Sequence, residues 1–273
     1  NPALTAKWNQ NEVSVVHRQD WIGFDGAPQY TNISLQHPFI AGYHTKSAFG
    51  LFVERDAVGP LEKIGGAITY NYRFRPKLFG KKDDVLGIGF GANVARIQYN
   101  PQKAVVFSPD LLNIDLTQIT SLINPNVNLG VFYISVSDFY AYQKSHYYAG
   151  LSFNQLVPGK LASFLGRNDN VSLLSLQARP HATMHAGYRH IPFRKKYFYE
   201  PSLMVIYSPL KSVQAMAHVR YEAMQAFWLA GGIASTGEAF GQAGVIMDKH
   251  SFVKKLVKDG SLRLGIKASW NLG

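Results

Sequence analysis

The chain has 273 residues, no cysteine and a formal net charge of +11. Its charged fraction of 16% lies below the roughly 25% of a typical soluble domain. The lack of cysteine excludes a disulfide scaffold and thiolate metal sites. No stretch approaches the roughly 18 uncharged apolar residues of a membrane-spanning helix. There is neither an RNP-type motif nor a zinc finger and the aromatic residues follow strand spacing, so we expect no nucleic-acid partner.

Short segments in which apolar and polar residues alternate follow one another along the chain, as is typical of β-strands. A tight turn is expected at Asp56–Pro60, between two of these segments. The pattern predicts about thirteen strands: Glu12–Arg18, Tyr30–Phe39, one around Phe49–Val53, Ile64–Arg75, Val85–Tyr99, Val127–Val136, Ser145–Leu156, Pro180–His190, Tyr197–Ser208, Val213–Ala223, Ala226–Ala234, Glu238–Asp248 and Ser261–Asn271.

The strand Val213–Ala223 shows which face of each strand is apolar. Val213, Val219 and Tyr221 fall on one side, whereas the alternate positions are polar and include His218 and Arg220. No predicted helix is present to cover so many apolar faces. The sequence therefore predicts an all-β fold, a single transmembrane antiparallel β-barrel over residues 1–273 with its apolar side toward lipid. Because single-chain bacterial barrels have even strand numbers, we expect about 14 strands, of which about 13 are visible.

Glycine occupies every second position at the start of the strand Val85–Tyr99. Gly87, Gly89 and Gly91 alternate with bulky apolar residues, which predicts space on the inner face for a plug or a neighbouring side chain. Further along the strand, the apolar residues Ile97 and Tyr99 stand at odd positions, so the apolar side of the strand would change there. A bulge near Ala95–Arg96 is one explanation.

The links differ in length and in charge. Residues 100–126 and 157–179 form two long links, and a periplasmic N-terminus makes both of them extracellular loops. The links on the other side carry more than a third of the 28 basic residues. These turns either meet anionic headgroups and aid solubility, or they form a docking face for an acidic periplasmic partner. Their basic residues are Lys77, Lys81, Lys82, Arg194, Lys195, Lys196, Lys249, Lys254, Lys255 and Lys258.

The polar faces of the strands carry a set of ionisable residues that we expect to line the barrel lumen: Arg73, Arg75, His181, His185, Arg189, Glu200, His218, Arg220, Glu222, Arg263 and Lys267. His181 and His185 lie about 13 Å apart on a strand, too far to share one ion, so we expect no metal site and no cofactor. The set is either a structural network or a basic constriction that selects anions. No Gly-x-Ser-x-Gly elbow occurs, and we expect no enzymatic activity. A lipid hydrolase is the enzymatic alternative.

Two groups of residues near the N-terminus are similar to the signature of a known family. The chain resembles the PorP/SprF family of Bacteroidota in Asn1-Pro2-Ala3, Arg18-Gln19, Trp21, Gly23, Phe24, Gly26 and Pro28, then in Phe49-Gly50-Leu51, Asp56, Gly59-Pro60 and the aromatic strand Tyr70–Phe74. The strand rhythm extends the similarity over most of the chain.

The resemblance implies an integral protein of the bacterial outer membrane, associated with type IX secretion and gliding motility. It implies a subunit that binds and anchors secreted adhesins through their C-terminal domains, together with a periplasmic OmpA-like peptidoglycan-binding protein and other subunits of the machine. Family members usually end in a Gly-x-His-Glu-type strand after the one resembling Ser261–Asn271, which would be the fourteenth. The alternatives are a substrate-selective porin with a basic lumen and an accessory barrel of another outer-membrane assembly.

The link between the first two strands contains Trp21 and Phe24 between glycines and a proline. Such a loop has three possible roles. It folds inward as a plug, it anchors a partner, or it is a turn whose aromatic residues meet the membrane interface. The residues expected to bind partners are Trp21, Phe24, Lys81, Lys82, Lys195, Lys196, Lys254 and Lys255.

Overall fold

A computed structural model describes most of the chain. The described residues are 1–7, 10–41, 44–77, 83–100, 121–136, 143–157, 159–165, 172–193, 195–209, 212–223, 226–247 and 261–271. Within them, no helix is long and apolar enough to cross a membrane. The single helical element described is a short 3₁₀ helix, Pro2–Leu4.

Strands form the rest of the regular structure. They are β1 Glu12–Gln19, β2 Gln29–Ala41, β3 His44–Val58, β4 Leu61–Phe74, β5 Val85–Tyr99, β6 Ser121–Ile134, β7 His146–Asn154, β8 Gly159–Leu165, β9 Ser172–Ala178, β10 His181–Arg189, β11 Tyr197–Ser208, β12 Ser212–Ala223, β13 Phe227–Ala234, β14 Glu238–Met247 and β15 Leu262–Asn271. The all-β prediction is confirmed.

Thirteen of these strands form one antiparallel sheet. They follow chain order from β1 to β7 and then from β10 to β15, so that β7 and β10 are neighbours. This matches the number of strands that the sequence predicts, and Val85–Tyr99 and Tyr197–Ser208 have the predicted bounds. In the part of the chain that the structure describes, β1 and β15 are the two edges of the sheet and do not pair with each other. The predicted closure into a barrel is therefore not observed.

The two long links differ from their prediction where they are described. Residues 101–120 lie outside the described part, but β6 already begins at Ser121, so the end of the predicted 100–126 loop is strand. The link 157–179 contains β8 and β9, which pair only with each other as a two-stranded sheet. The turn between β3 and β4 is tighter than expected, because β3 continues to Val58 and only Gly59–Pro60 remain.

Burial alternates along the strands in the opposite sense to that of a water-soluble sheet. On β12 the apolar Val213 and Val219 are 58% and 53% exposed, whereas Glu222 is 2% exposed. On β4 the exposed Tyr72 stands next to the buried Arg73. Apolar side chains thus lie on the open face and polar ones on the buried face, as the alternation predicts.

The predicted change of phase in β5 is wrong. Ile88 and Phe90 are exposed, and the alternation continues through exposed Val94 and Arg96 with Ala95 and Ile97 buried. The sequence pattern misled because the buried face of this strand accepts an apolar side chain at Ile97. A bulge is not needed to explain the burial.

The chain divides into two compact units. Unit 1 comprises Asn1–Arg73, Gly87–Val131 and Ser152–His181, and unit 2 comprises Phe74–Leu86, Phe132–Leu151 and Ala182–Gly273. Unit 1 contains the N-terminal segment and the glycines of β5. Unit 2 contains most of the residues predicted to line the lumen.

Candidate functional site

The N-terminal segment Asn1–Lys7 lies on the buried face of unit 1. Pro2 starts the 3₁₀ helix, where its fixed φ and missing N–H suit the first helical position, and the side chain of Asn1 caps it by accepting from the Ala3 N–H at 2.9 Å. The Asn1 amide also donates to the Val131 carbonyl at 3.2 Å. Ala3 and Ala6 are both 1% exposed. The segment is thus packed, not free.

Two polar side chains of β4 bind the main chain of this segment. Asn71 Nδ2 donates to the Ala3 carbonyl at 2.7 Å. Arg73 Nη2 donates to the carbonyls of Thr5 at 2.8 Å and Ala6 at 2.6 Å. Alternation in β4 brings Asn71 and Arg73 to the same face, where both are buried.

The glycines of unit 1 leave room for the same segment. A Cβ at Gly89 would overlap the backbone of Pro2 and Ala3, and one at Gly130 would overlap the side chain of Asn1. The space that the sequence predicts over β5 is therefore filled by residues from the start of the chain. The sequence could not show which residues occupy this space, because the contacting residues are far apart along the chain.

In unit 2, Arg189 and Glu200 form a buried ion pair, in which Arg189 Nη2 lies 2.6 Å from Glu200 Oε2 with side-chain exposures of 3% and 11%. Tyr148 donates its hydroxyl to Glu200 Oε1 at 2.7 Å, and the Phe198 ring lies 4.1 Å from Arg189 Cζ. The carboxylate thus receives two donors, and the guanidinium is paired and covered by an aromatic face.

Glu222 accepts from two arginines. Arg263 reaches it with two nitrogens, at 3.0 and 3.2 Å, and Arg220 donates to it as well. Arg220 also lies over the Trp228 ring, 5.3 Å from its centroid. One carboxylate shared between two guanidiniums leaves this cluster with an excess positive charge.

The remaining predicted lumen residues make weaker contacts. Lys267 lies 3.8 Å from Glu238 and 4.5 Å from the Phe240 ring centroid. His218 shares a hydrogen bond of 3.0 Å with Ser202, and His185 stacks on Phe132. Arg75 and His181 are half-buried at strand ends. Tyr148 and Glu238 were missed in the sequence, although alternation places both on the polar side of their strands.

The loop between β1 and β2 exposes three apolar side chains. Trp21, Ile22 and Phe24 are 72%, 82% and 74% exposed. The loop is nevertheless ordered by backbone bonds, from Asp20 N to Pro28 O at 2.9 Å and from Phe24 N to Trp21 O at 3.2 Å. Ile22 was not identified from sequence. Its position beside Gly23 in a short link was the signal that could have revealed it.

The same loop holds an unfavourable backbone conformation. Trp21 has φ 49, in the left-handed region, which costs a non-glycine residue about 1 kcal/mol. Gly23 and Gly26, at φ 99 and φ 75, take that region without such cost. Gly59 N donates to Gly26 O at 3.0 Å, which ties the loop to the β3–β4 turn. Neighbouring structure therefore holds Trp21 in this position.

Of the basic turn residues predicted from sequence, the structure describes Lys77, which follows β4, and Lys195 and Lys196 in the turn between β10 and β11. Lys195 and Lys196 are exposed, and Lys195 N donates to Pro192 O at 3.1 Å. Phe193, in the same turn, is 84% exposed and was not identified from sequence. Lys81, Lys82, Lys254 and Lys255 lie outside the described residues.

Unit 2 also has an open apolar groove of about 820 Å³. Cross-strand neighbours Ala186, Leu203, Ala217 and Ile233 contribute to it, so small and branched side chains alternate along the row.

A comparison with family models gives a match described as "Type IX secretion system membrane protein PorP/SprF", over residues 1–272. A comparison with curated proteins gives no match. The match extends over both units and includes the N-terminal segment, the β1–β2 loop and the charged face of unit 2. The membrane assignment of the family and the all-β architecture fit an outer-membrane location. The chain therefore belongs to the PorP/SprF family of type IX secretion system membrane proteins.

Proposed function

We propose that this chain is a non-enzymatic outer-membrane β-barrel subunit that binds and anchors secreted surface proteins or partner subunits of the type IX machine. Family membership makes it a component of that system, associated with other components. The observation that carries the binding role is the β1–β2 loop. It is held in an ordered and partly strained conformation, yet it exposes Trp21, Ile22 and Phe24.

The barrel is completed by one further strand. Thirteen antiparallel strands in sequential order leave β1 and β15 running in the same direction. Unpaired backbone groups within lipid cost several kcal/mol each, so both edges require a partner. One strand antiparallel to both satisfies them and gives the even number of about fourteen. On β15 both faces are exposed, and Leu264, Ile266 and Trp270 share the apolar face that we assign to lipid.

The β1–β2 loop suits a protein partner on the outer side. With the N-terminus in the periplasm, this loop is extracellular, where the C-terminal domain of a secreted adhesin would meet it. Large aromatic residues that bury fully on binding are the residues that dominate protein interfaces. Trp21 and Phe24 therefore serve as anchors, because most of their surface is exposed in the free subunit and is available for burial against a partner.

The basic turn suits an acidic partner on the periplasmic side. Lys195 and Lys196 are exposed there together with Phe193. The charged residues steer the encounter with an oppositely charged partner. The apolar residue in the same turn adds contact area once the partner is bound. A periplasmic OmpA-like peptidoglycan-binding protein is the partner class we assign to this face, with anionic headgroups as a second ligand of the same lysines.

A substrate-selective porin remains the second candidate, because two cations of unit 2 keep access to solvent. The side chains of Arg263 and Lys267 are 36% and 41% exposed. Against an anion-selective constriction, Arg189 and Lys267 each have a glutamate of their own within 4.0 Å, and Arg220 and Arg263 share Glu222. Paired cations present a much weaker field to a passing anion than free ones do.

The anchoring role is tested by replacing Trp21 and Phe24 together with alanine. We expect loss of extracellular partners in pull-downs from native membranes, since losing a hot-spot residue costs about 2 kcal/mol or more, roughly thirtyfold in affinity. Folding should not change, because both side chains are exposed. Phe193→Ala, at an equally exposed aromatic residue in the periplasmic basic turn, is the matched control, and it should leave the yield of extracellular partners unchanged. Recovery of the same partners at the same yield would refute the role of the loop.

The basic turns are tested by charge reversal. Replacing Lys81, Lys82, Lys195 and Lys196 with glutamate should release an acidic periplasmic partner and leave the barrel folded. The same four positions changed to arginine form the control, because the charge is kept while the side chain differs. Co-purification that both variants retain at the parent level would contradict a docking face. Co-purification lost in both would point to side-chain shape instead of charge.

A further inference from the structure

We propose that Asn1–Lys7 is an internal plug, seated in a cradle of unit 1 that recognises its main chain, and that it closes the barrel to solutes. The inference rests on the proposed barrel. The cradle consists of Gln36, Gly50, Thr69, Asn71, Arg73, Gly89 and Gly130. Nothing in the β1–β2 loop is involved, so the plug and the partner anchor are separate features.

Most hydrogen bonds between the cradle and the segment go to main-chain groups of the segment. Arg73 donates to three consecutive carbonyls, those of Thr5 and Ala6 at 2.8 and 2.6 Å and that of Lys7 at 3.5 Å. Asn71 donates to the Ala3 carbonyl. A guanidinium presents five donors in one plane and no acceptor, so a run of carbonyls is a partner that it can satisfy without a carboxylate.

Two further positions, Gln36 on β2 and Thr69 on β4, also contact the segment. Gln36 Oε1 on β2 accepts from the Ala6 N–H at 2.6 Å. The hydroxyls of Thr5 and Thr69 lie 2.7 Å apart, within hydrogen-bond distance. Ala6 has φ 47, a left-handed conformation that an alanine keeps only where its surroundings impose it. The contacts on both of its peptide groups supply that constraint.

The shape of the cradle matches the segment closely. At Gly89 a side chain would displace the backbone of Ala3, and at Gly50 a Cβ would come within 2.9 Å of the Thr5 methyl group. Asn71 is 0% exposed, and Thr5 is 3% exposed. Water is thus excluded between the segment and the sheet, and this part of the buried face offers no open path for a solute.

Conductance tests the plug. The intact protein in planar bilayers should be closed, a variant lacking residues 1–7 should form stable channels, and Arg73→Met should open transiently. A synthetic peptide with the sequence of residues 1–7, added to the shortened variant, should close it again. Peptide-dependent closure distinguishes a built cradle from a general loss of packing. Stable channels in the intact protein would overturn the plug.

Cysteine labelling keeps the test valid if the shortened variant does not fold. The chain has no native cysteine, so Ala3→Cys in the otherwise intact protein reports on the seat alone. In liposomes, a water-soluble maleimide should label it roughly 100-fold more slowly than Asp25→Cys in the exposed loop, because a buried site reacts only on local opening. Equal rates would overturn the plug. A protein that does not insert into liposomes at all would instead refute the barrel.

Discussion

At the scale of single residues, the decisive feature is that buried Arg189, Glu200 and Glu222 of unit 2 each have a partner of opposite charge. Arg189 and Glu200 are both buried, and Tyr148 supplies a further donor to the carboxylate. Alternation predicted that these positions face inward. It could not predict which cation meets which anion, because pairing depends on strand register and on side-chain reach. The partner of Arg73 was not predictable either. This residue was expected to line a lumen, and its guanidinium binds the carbonyls of Thr5 and Ala6.

The buried pair leads to a stability prediction. Glu200→Ala leaves the guanidinium of Arg189 buried without its carboxylate, and we expect a loss of about 3–5 kcal/mol in the free energy of unfolding. Changing both residues to methionine should be nearly neutral, since no unpaired charge remains. Urea unfolding in detergent, followed by heat-modifiable electrophoretic mobility, measures both.

The matched control is Glu54→Ala, which breaks the more exposed pair of Lys63 and Glu54. Exposed pairs contribute about 0–1 kcal/mol, so this variant should unfold close to the parent. Similar losses for Glu54→Ala and Glu200→Ala would show that burial is not the cause. A double methionine variant as unstable as Glu200→Ala would assign the loss to packing around Tyr148 and Phe198 instead.

At the scale of elements, the sequence predicts strands well where alternation runs unbroken and poorly where a link contains its own structure. Tyr197–Ser208 was predicted to the residue. The hairpin of β8 and β9 was missed, because its strands are short and were embedded in a polar stretch taken as a loop. Within β9, residues 174–178 do alternate, and Leu174 and Leu176 were the signal that could have revealed a strand.

The hairpin is expected to be dispensable for folding. It pairs only within itself, and β7 lies next to β10 in the large sheet without it. Replacing Gly159–Ala178 with a short Gly-Asn turn should therefore preserve heat-modifiable mobility and protease resistance of the sheet. Shorter links also lower the entropy cost of bringing β7 and β10 together.

The same variant separates two roles for the extracellular side. Partner recovery that is unchanged would leave the β1–β2 loop as the anchor, and recovery that is lost would assign binding to the hairpin. A control insertion of the same turn at Gly59–Pro60, where the β3–β4 link is tight, should be harmful, because Gly59 bonds to Gly26. Failure of the hairpin-free variant to fold would show that β8 and β9 stabilise the sheet.

At the scale of the whole molecule, alternation predicts which face of the sheet is apolar, whereas the expected fourteenth strand comes from the even strand number of bacterial barrels and from the family resemblance. Each strand carries its own alternation, so the assignment of faces needs only local information. The pattern of β1 or of β15 does not specify a strand that would pair with both, and the described residues show none. For the same reason the N-terminal plug was foreseen only as a space over Gly87, Gly89 and Gly91.

The claim that the open apolar face meets lipid can be measured at two adjacent residues of β11. Leu203 is 49% exposed on the apolar face, and its neighbour Ser202 bonds to His218 on the polar face. With no native cysteine, a nitroxide can be placed at either position alone. In liposomes we expect the label at Leu203 to collide more often with oxygen than with a water-soluble nickel complex, because oxygen concentrates in hydrocarbon.

Ser202 provides the internal control, since the backbone, the strand and the depth are nearly the same and only the face differs. Its label should contact oxygen less than the label at Leu203 does. If both labels collide chiefly with the nickel complex, the apolar face is in water and the barrel is wrong. If both prefer oxygen, the polar face is not enclosed. Only opposite preferences at neighbouring positions fit a wall with lipid on one side, because successive side chains of a strand point to opposite faces.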